Sequence, residues 1–115
     1  MPHTKLLASG NPTDVDQDQS ELAQLDVSSY GTIRLSVGNW VGSPAPVVVA
    51  ASHVDQPNTP NANAITALDS FTLAPGESVS KVYEVPGEVV AFLAQPENPP
   101  LAGISVFFTI YGRAD

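Results

Sequence analysis

The sequence predicts an all-β protein, an antiparallel β-sandwich of jelly-roll-like topology with about eight strands. Apolar and polar residues alternate in several short segments, which is the pattern of half-buried strands. Eleven prolines divide the 115 residues into short stretches, and proline is excluded from helix interiors and central sheet positions. Two Pro-Gly pairs, Pro75-Gly76 and Pro86-Gly87, fit the central positions of type II turns. Many short strands joined by turns are typical of a sandwich.

The strands are assigned in chain order to the stretches between prolines. They lie near residues 4–8, 23–29, 32–38, 46–54, 69–74, 78–85, 88–94 and 103–112. In the second strand Ala23, Leu25 and Val27 are in phase. The fourth is a continuous apolar run, which indicates a strand covered on both sides.

Alternation also predicts which side chains face the core. In the third strand Ile33, Leu35 and Val37 point the same way, and in the fifth Phe71 and Leu73 point inward. The eighth strand has apolar residues in one phase and a mixed set in the other. Its inward set is Ile104, Val106, Phe108 and Ile110, and its opposite set is Ser105, Phe107, Thr109 and Tyr111.

The two Pro-Gly turns lie eleven residues apart, with strands before, between and after them. Short connections of this kind predict that the strands at 69–74, 78–85 and 88–94 form an antiparallel meander. Residues 16–25 offer the best helical alternative, because their acidic N-terminal part could cap one or two turns.

Composition indicates one domain spanning residues 1–115. Hydrophobic residues form 43% of the chain, which is enough for a core. The absence of cysteine excludes disulfides and thiolate metal sites. No signal peptide or transmembrane segment is visible, and the sequence leaves the localisation open.

The charge balance argues against two classes of partner. The net charge is −8, with only Lys5, Arg34, Lys81 and Arg113 as bases, so nucleic-acid binding and membrane insertion or adsorption are not expected. Charged residues form only 14% of the chain, and a surface poor in lysine suits packing against another copy. A compositional bias of the source organism explains the same figure equally well.

Three segments carry a resemblance to a known group. They are VSSYGTIRLSVGNW, LDSFTLAPGESVSKVYEVPGEVVAFLA and ISVFFTIYGR, with a Gly-initiated strand, two Pro-Gly turns and an aromatic closing strand. This sequence resembles small bacterial jelly-roll β-sandwich domains of the galactose-binding, discoidin-like kind. The resemblance implies a sandwich that binds glycans, lipids or partner proteins, often as an appended module.

The segment NPTDVDQDQSE places acids at Asp14, Asp16 and Asp18, a spacing that resembles a calcium loop. It fails as an EF-hand, because Gln19 stands where glycine is needed and Leu25 where the bidentate glutamate belongs. Two interpretations remain, a calcium site of another kind and a solvated acidic loop between the first two strands. No other cofactor is indicated.

No catalytic residues are predicted, and we expect that the protein is not an enzyme. Ser52, His53 and Asp55 are near neighbours on one strand whose side chains alternate between faces, and no nucleophile elbow is present. Glu84 and Glu88 flank a turn and are the solvated ends of a hairpin rather than a glycosidase pair.

Aromatic and amide side chains are the candidate binding residues. Trp40 lies in a Gly/Pro-rich loop, where it stacks on a sugar, anchors a protein interface or caps the core. Phe107 and Tyr111 share the second face of the last strand and form an apolar patch if that face is exposed. An Asn-rich loop adds three residues that suit sugar hydroxyls or tight turns. They are Asn58, Asn61 and Asn63.

Together these features favour a non-catalytic structural module that forms homo-oligomers or decorates a larger particle or surface. Its partner would be a second copy or another protein. The alternative is a glycan-binding, lectin-like module that uses Trp40 and the Asn-rich loop, with a structural calcium at the acidic segment.

Overall fold

The computed structural model describes residues 3–15, 20–54, 65–84, 89–98 and 101–114, and these contain eight β-strands. The strands are β1 (His3–Asp14), β2 (Ser20–Asp26), β3 (Thr32–Asn39), β4 (Val47–Val54), β5 (Ile65–Leu73), β6 (Ser78–Glu84), β7 (Val89–Pro96) and β8 (Ser105–Ala114). All eight predicted strands are confirmed. The largest difference is in β1, which runs six residues beyond its predicted end. No helix in the described ranges is long and apolar enough to cross a membrane.

The strands form two four-stranded antiparallel sheets. Sheet A has the order β1-β8-β3-β6, and sheet B has the order β2-β7-β4-β5. Consecutive strands thus lie in opposite sheets, apart from β4 and β5. The hydrogen-bonded pairs are nested in sequence, with β4–β5 innermost, followed by β3–β6, β2–β7 and β1–β8. This is the topology of a jelly roll, in agreement with the predicted class.

Two sequence interpretations are wrong. The predicted meander of the strands at 69–74, 78–85 and 88–94 does not form. β5 and β7 belong to sheet B, whereas β6 is the edge strand of sheet A and pairs with neither of them. The helical alternative for residues 16–25 fails for its described part, because β2 occupies Ser20–Asp26 and pairs with β7. Sheet pairing outweighs a weak local capping signal here.

The core lies between the two sheets and follows the predicted alternation. Ile33, Leu35 and Val37 of β3 are buried, and so are the inward residues of β8. Sheet B contributes Phe92, which is fully buried, and its ring centroid lies 6.1 Å from that of Tyr83 on β6. The inward set also includes Val15, Val27, Val47, Val49, Ala51, Leu73, Val90, Ala94, Ile104, Val106, Phe108 and Ile110.

The Pro75-Gly76 turn has the predicted geometry but a different role. Gly76 has φ +86°, and the Glu77 amide donates to the Ala74 carbonyl at 2.9 Å, as in a type II turn. A side chain other than glycine would be strained at this φ. The turn carries the chain across the rim of the sandwich from β5 in sheet B to β6 in sheet A. The Pro86-Gly87 turn lies outside the described residues.

Asn39, the last residue of β3, joins three connections at this rim. Its side chain is 3% exposed, and Nδ2 donates to the carbonyls of Ala45 at 3.2 Å and Leu73 at 3.0 Å. Its Oδ1 atom has no hydrogen-bond partner in the described structure. The two donated bonds tie the end of β3 to the connection between β3 and β4 and to the end of β5.

A cluster on β5 and β6 ties the sheets together along one open edge of the sandwich. The Asp69 carboxylate on β5 accepts from the Tyr83 hydroxyl at 2.9 Å and from Lys81 Nζ at 3.2 Å. Lys81 Nζ also lies 4.4 Å from the centre of the Phe71 ring. The Tyr83 hydrogen bond, aided by Lys81, lowers the pKa of Asp69 despite partial burial, while burial and the Asp69 carboxylate raise the pKa of Tyr83.

Replacing Asn39 by Ala should lower the free energy of unfolding by about 1–3 kcal/mol, because two hydrogen bonds donated by a buried amide are lost. Asn39→Asp should cost more, since a carboxylate cannot donate to either carbonyl. Urea titration measures the change. The control is Ser36→Ala, which removes an exposed hydroxyl contact and should change stability by less than about 0.5 kcal/mol. An unaltered urea midpoint in both Asn39 variants would contradict this role.

The edge cluster predicts opposite pH dependences for two variants. Asp69→Asn and Tyr83→Phe should each lower stability near neutral pH, by about 1 kcal/mol per lost hydrogen bond. The lowered pKa of Asp69 stabilises the fold above about pH 4, and this contribution is lost as the pH falls through the folded-state pKa. The raised pKa of Tyr83 stabilises the fold below about pH 10, and this contribution is lost at higher pH.

Chemical denaturation between acidic and alkaline pH tests this expectation. The deficit of Asp69→Asn relative to the unmodified chain should shrink below about pH 4, and that of Tyr83→Phe above about pH 10. A deficit that stays constant across the whole pH range would show that neither ionisation is linked to folding.

Candidate interaction surface

The outer face of sheet A is built from the residues that alternate with the core positions. Cross-strand pairing aligns them in rows, such as Leu6 with Tyr111, Tyr111 with Arg34, and Arg34 with Val82. The face comprises Thr4, Leu6, Ser9, Thr32, Arg34, Ser36, Gly38, Ser78, Ser80, Val82, Glu84, Phe107, Thr109, Tyr111 and Arg113. Because the core lies behind these strands, none of these side chains is needed to fill it.

Exposed apolar side chains concentrate on this face and its rim. Among the described residues, the large hydrophobic side chains that are exposed are Leu6 (49%), Trp40 (43%), Val41 (77%), Val82 (65%) and Phe107 (37%). Leu6, Val82 and Phe107 belong to the face itself, while Trp40 and Val41 directly follow β3 at its rim. A cluster of this kind on one face marks a contact surface more often than scattered apolar residues do.

A shallow groove of about 860 Å³ runs between the aromatic end of the face and its centre. Small residues form its floor, among them Ser36, Gly38 and Thr109, while Trp40 and Phe107 stand at one end. Gly38 pairs with both Phe107 and Ser78, so the absence of a side chain on β3 opens the space beside the Phe107 ring. The groove therefore combines an apolar end with a hydroxyl-lined floor.

Trp40 is held by its backbone while its ring remains partly exposed. Its amide donates to the Ser105 carbonyl at 2.9 Å, and its carbonyl accepts from the Ser43 amide at 3.0 Å. The ring packs against the backbone of Gly42, where an added Cβ would lie 2.5 Å from ring atom Cζ2. Trp40 is not part of the buried core, so its core-capping interpretation is not supported and its surface interpretations are retained.

Phe107 and Tyr111 lie on the same outer face, as the alternation of β8 predicts. Phe107 is 37% exposed, whereas Tyr111 is half-buried. The guanidinium of Arg34 lies 5.0 Å from the centre of the Tyr111 ring, which is a cation–π contact. Arg34 thus places a positive charge over the middle of the face.

The other predicted site residues are placed less completely. Asp16 and Asp18 lie outside the described residues, and so do Asn58, Asn61 and Asn63. Asp14 has an exposed side chain that accepts from the Ser105 hydroxyl at 2.9 Å. Within the described ranges, no three His, Cys, Asp or Glu side chains are close enough to hold a metal ion. Calcium at Asp14, Asp16 and Asp18 stays a prediction.

The sequence interpretation missed Leu6, Val41 and Val82. In β6 the residues Val79, Lys81 and Tyr83 face inward, whereas Val82 belongs to the outward set, whose other members are polar. An apolar residue in an otherwise polar outward set was thus a usable signal in the sequence. Leu6 had no such signal, because a bulge in β1 shifts the register between Leu6 and Ala8.

Comparison with known proteins gives a fold but no family. No protein-family model matches the sequence, and no curated protein matches it. A solved structure described as Bacillus endospore appendages, which form a family of disulfide-linked pili, is similar with a TM-score of 0.57 and 12% identity. The match covers 98% of this chain and 84% of that one. It supports a small all-β sandwich and does not confirm the galactose-binding, discoidin-like resemblance.

Gly42→Ala should move the Trp40 ring outward, because the new Cβ would overlap three ring atoms. Trp40 is the sole tryptophan of the chain, so its fluorescence reports the ring directly. We expect a red shift of the emission and stronger quenching by acrylamide. The control is Gly38→Ala, whose added Cβ would meet Ser78 rather than Trp40. Unchanged emission and quenching in Gly42→Ala would contradict the packing described for this ring.

Proposed function

We propose that the chain is a non-catalytic structural module that assembles with copies of itself, with the outer face of sheet A as its contact surface. One observation carries the proposal. The exposed large hydrophobic side chains of the described residues gather on this one face and its rim. Burial in an interface removes this apolar area from water, which is favourable by roughly 25 cal/mol per Å².

The dimensions of the sandwich suit such a contact. Its Cα atoms span 41 × 35 × 18 Å, so each broad face exceeds the roughly 800 Å² per partner of a standard protein interface. The Trp40 and Phe107 rings at one end, together with the Arg34–Tyr111 pair, supply residue types enriched at interface hot spots.

The charge of the face also favours association. A net charge of −8 makes copies of the chain repel one another at long range. The outer face of sheet A carries two bases, Arg34 and Arg113, against two acids, Glu84 and Asp14, so this repulsion is weak there. An interface centred here buries little negative charge.

The similar structure supports assembly as the role, because it is described as belonging to pili. Disulfide linkage does not transfer to this chain, whose 115 residues contain no cysteine. Assembly would therefore be non-covalent, dependent on protein concentration and indifferent to reductant.

A glycan-binding module is the second candidate. It is favoured by the partly exposed Trp40 ring beside a groove floored by hydroxyl groups, since aromatic rings stack on sugars. Calcium at the acidic segment belongs with this candidate. The assembly proposal has the stronger support, because Leu6 and Val82 widen the apolar area beyond the groove.

Native mass by light scattering after size exclusion tests the proposal. The unmodified chain should exceed the 12.0 kDa of one copy, with or without chelator or reductant. Phe107→Ser should shift the mass towards one copy at the same concentration, because an aromatic contact is lost from the interface. At a concentration low enough for both chains to be monomeric, the two melting temperatures should be similar, since Phe107 lies outside the core.

The matched control is Ala102→Ser, an apolar-to-hydroxyl change at an exposed residue between β7 and β8. It should leave the native mass unchanged. A monomeric unmodified chain across the accessible concentration range overturns self-assembly. Glycan-array binding that is lost in Trp40→Ala, with an unchanged mass, would establish the second candidate instead.

A further inference from the structure

The outer face of sheet B carries a different kind of apolar surface. Its two central strands, β7 and β4, present mostly aliphatic residues outward in paired rows, such as Ala50 with Leu93, and Ser52 lies opposite Ala91. Val48, Ala50, Val89 and Leu93 are half-buried, and Ala91 is 7% exposed. We call Val48, Ala50, Val89, Ala91 and Leu93 the aliphatic strip. No charged residue occurs in either strand.

Such a strip is unusual for an exposed sheet. Strands that are apolar in both phases are typical of sheets covered on both faces. Sheet A covers only the inward face of β4 and β7. Within the described ranges, no strand packs on the outward one. The strip contains aliphatic side chains and no aromatic ring, whereas the outer face of sheet A carries the rings of Phe107 and Tyr111.

The strands of the two sheets carry net charges of opposite sign, because sheet A has four bases against the acids Asp14 and Glu84. All four bases of the chain, Lys5, Arg34, Lys81 and Arg113, lie on strands of sheet A, one on each. The strands of sheet B contain no lysine or arginine, and their charged residues are Glu21, Asp26 and Asp69. Glu21 and Asp26 are exposed on β2, beside the aliphatic strip.

We propose that the aliphatic strip is covered by the outer face of sheet A of a second copy of this chain. This inference rests on the proposed function and names the surface that the contact face meets. Phe107 and Val82 of one copy would lie on the aliphatic strip of the other. Arg34 and Arg113 could then face Glu21 and Asp26 of β2. We call the outer faces of sheets A and B the A face and the B face. Stacking two A faces would bring arginines together, and stacking two B faces would bring carboxylates together, and both arrangements are unfavourable.

The contact is heterologous, because two different surfaces meet. Each bound copy leaves one free A face and one free B face, so assembly continues into a ring or an open-ended filament. An isologous A-to-A contact would stop at two copies.

Two variants, each with one blocked face, test this arrangement. Phe107→Asp places a carboxylate in the outer face of sheet A, where it would be buried without a partner against the aliphatic strip. Leu93→Lys places a base in the strip, where it would be buried without a partner against Phe107 and Val82. Each variant should lose assembly and run at the 12.0 kDa of one copy. Val48→Lys serves as a second strip variant if Leu93→Lys is not folded by circular dichroism.

Mixing the two variants gives the decisive result. The intact A face of Leu93→Lys should bind the intact strip of Phe107→Asp, which forms a one-to-one pair and then stops because the remaining faces are blocked. Native mass spectrometry should show a heterodimer and no larger species. Raising the salt concentration should weaken this pair, because its charge complementarity is screened.

The other outcomes separate this inference from the proposed function. If the unmodified chain is monomeric, both fail. If it assembles and both strip variants still assemble, the strip is not the partner surface, and only this inference is overturned. If Phe107→Asp and the strip variant are each monomeric but do not pair when mixed, the contact between the A face and the strip is also overturned, while self-assembly through the A face stands.

Discussion

The burial of Val106, Phe108 and Ile110 on one side of β8 is the constraint on which the rest of the molecule depends. β8 lies between β1 and β3, so the alternation of its side chains fixes which residues of both neighbours face the core. Phe108 pairs with Gly10 and Val37, and Ile110 pairs with Ala8 and Leu35. A shift of one residue would exchange the core and outer sets completely. The position of Phe107 and Tyr111 on the surface is therefore a consequence of core packing, and the core fixes which residues form the outer face of sheet A.

Bases of sheet A face acids of sheet B within one chain and, in the proposed assembly, between two copies. Inside the chain, Lys81 of sheet A reaches across the open edge to Asp69 of sheet B. The proposed contact between copies would pair bases of sheet A with acids of sheet B again, this time through the outer faces. A chain with few charges gains specificity from placing them unevenly, because like faces then repel while unlike faces attract.

Local patterns predicted the strands and their inward faces, because period-two alternation reports burial on one side directly, as in Ile33, Leu35 and Val37. They did not predict strand partners. The Pro75-Gly76 turn has the same local geometry whether the next strand returns beside the first or crosses to the other sheet, and it crosses. For the site, the phase of β8 identified Phe107 and Tyr111, but Leu6 and Val82 come from strands at opposite edges of sheet A. Their shared face depends on long-range pairing that the sequence does not display.

The position of β8 also governs how the chain can fold as it is synthesised. β8 follows the other seven strands in sequence, yet it occupies an interior place in sheet A. Until residues 105–114 leave the ribosome, β1 has no partner in that sheet and β3 has only β6, so unpaired strand edges stay open. Sheet B, whose strands are all complete earlier, can form first. Sheet A can therefore be completed only after β8 has been synthesised, and its completion depends on contacts between residues far apart in sequence, such as those of β1 with β8.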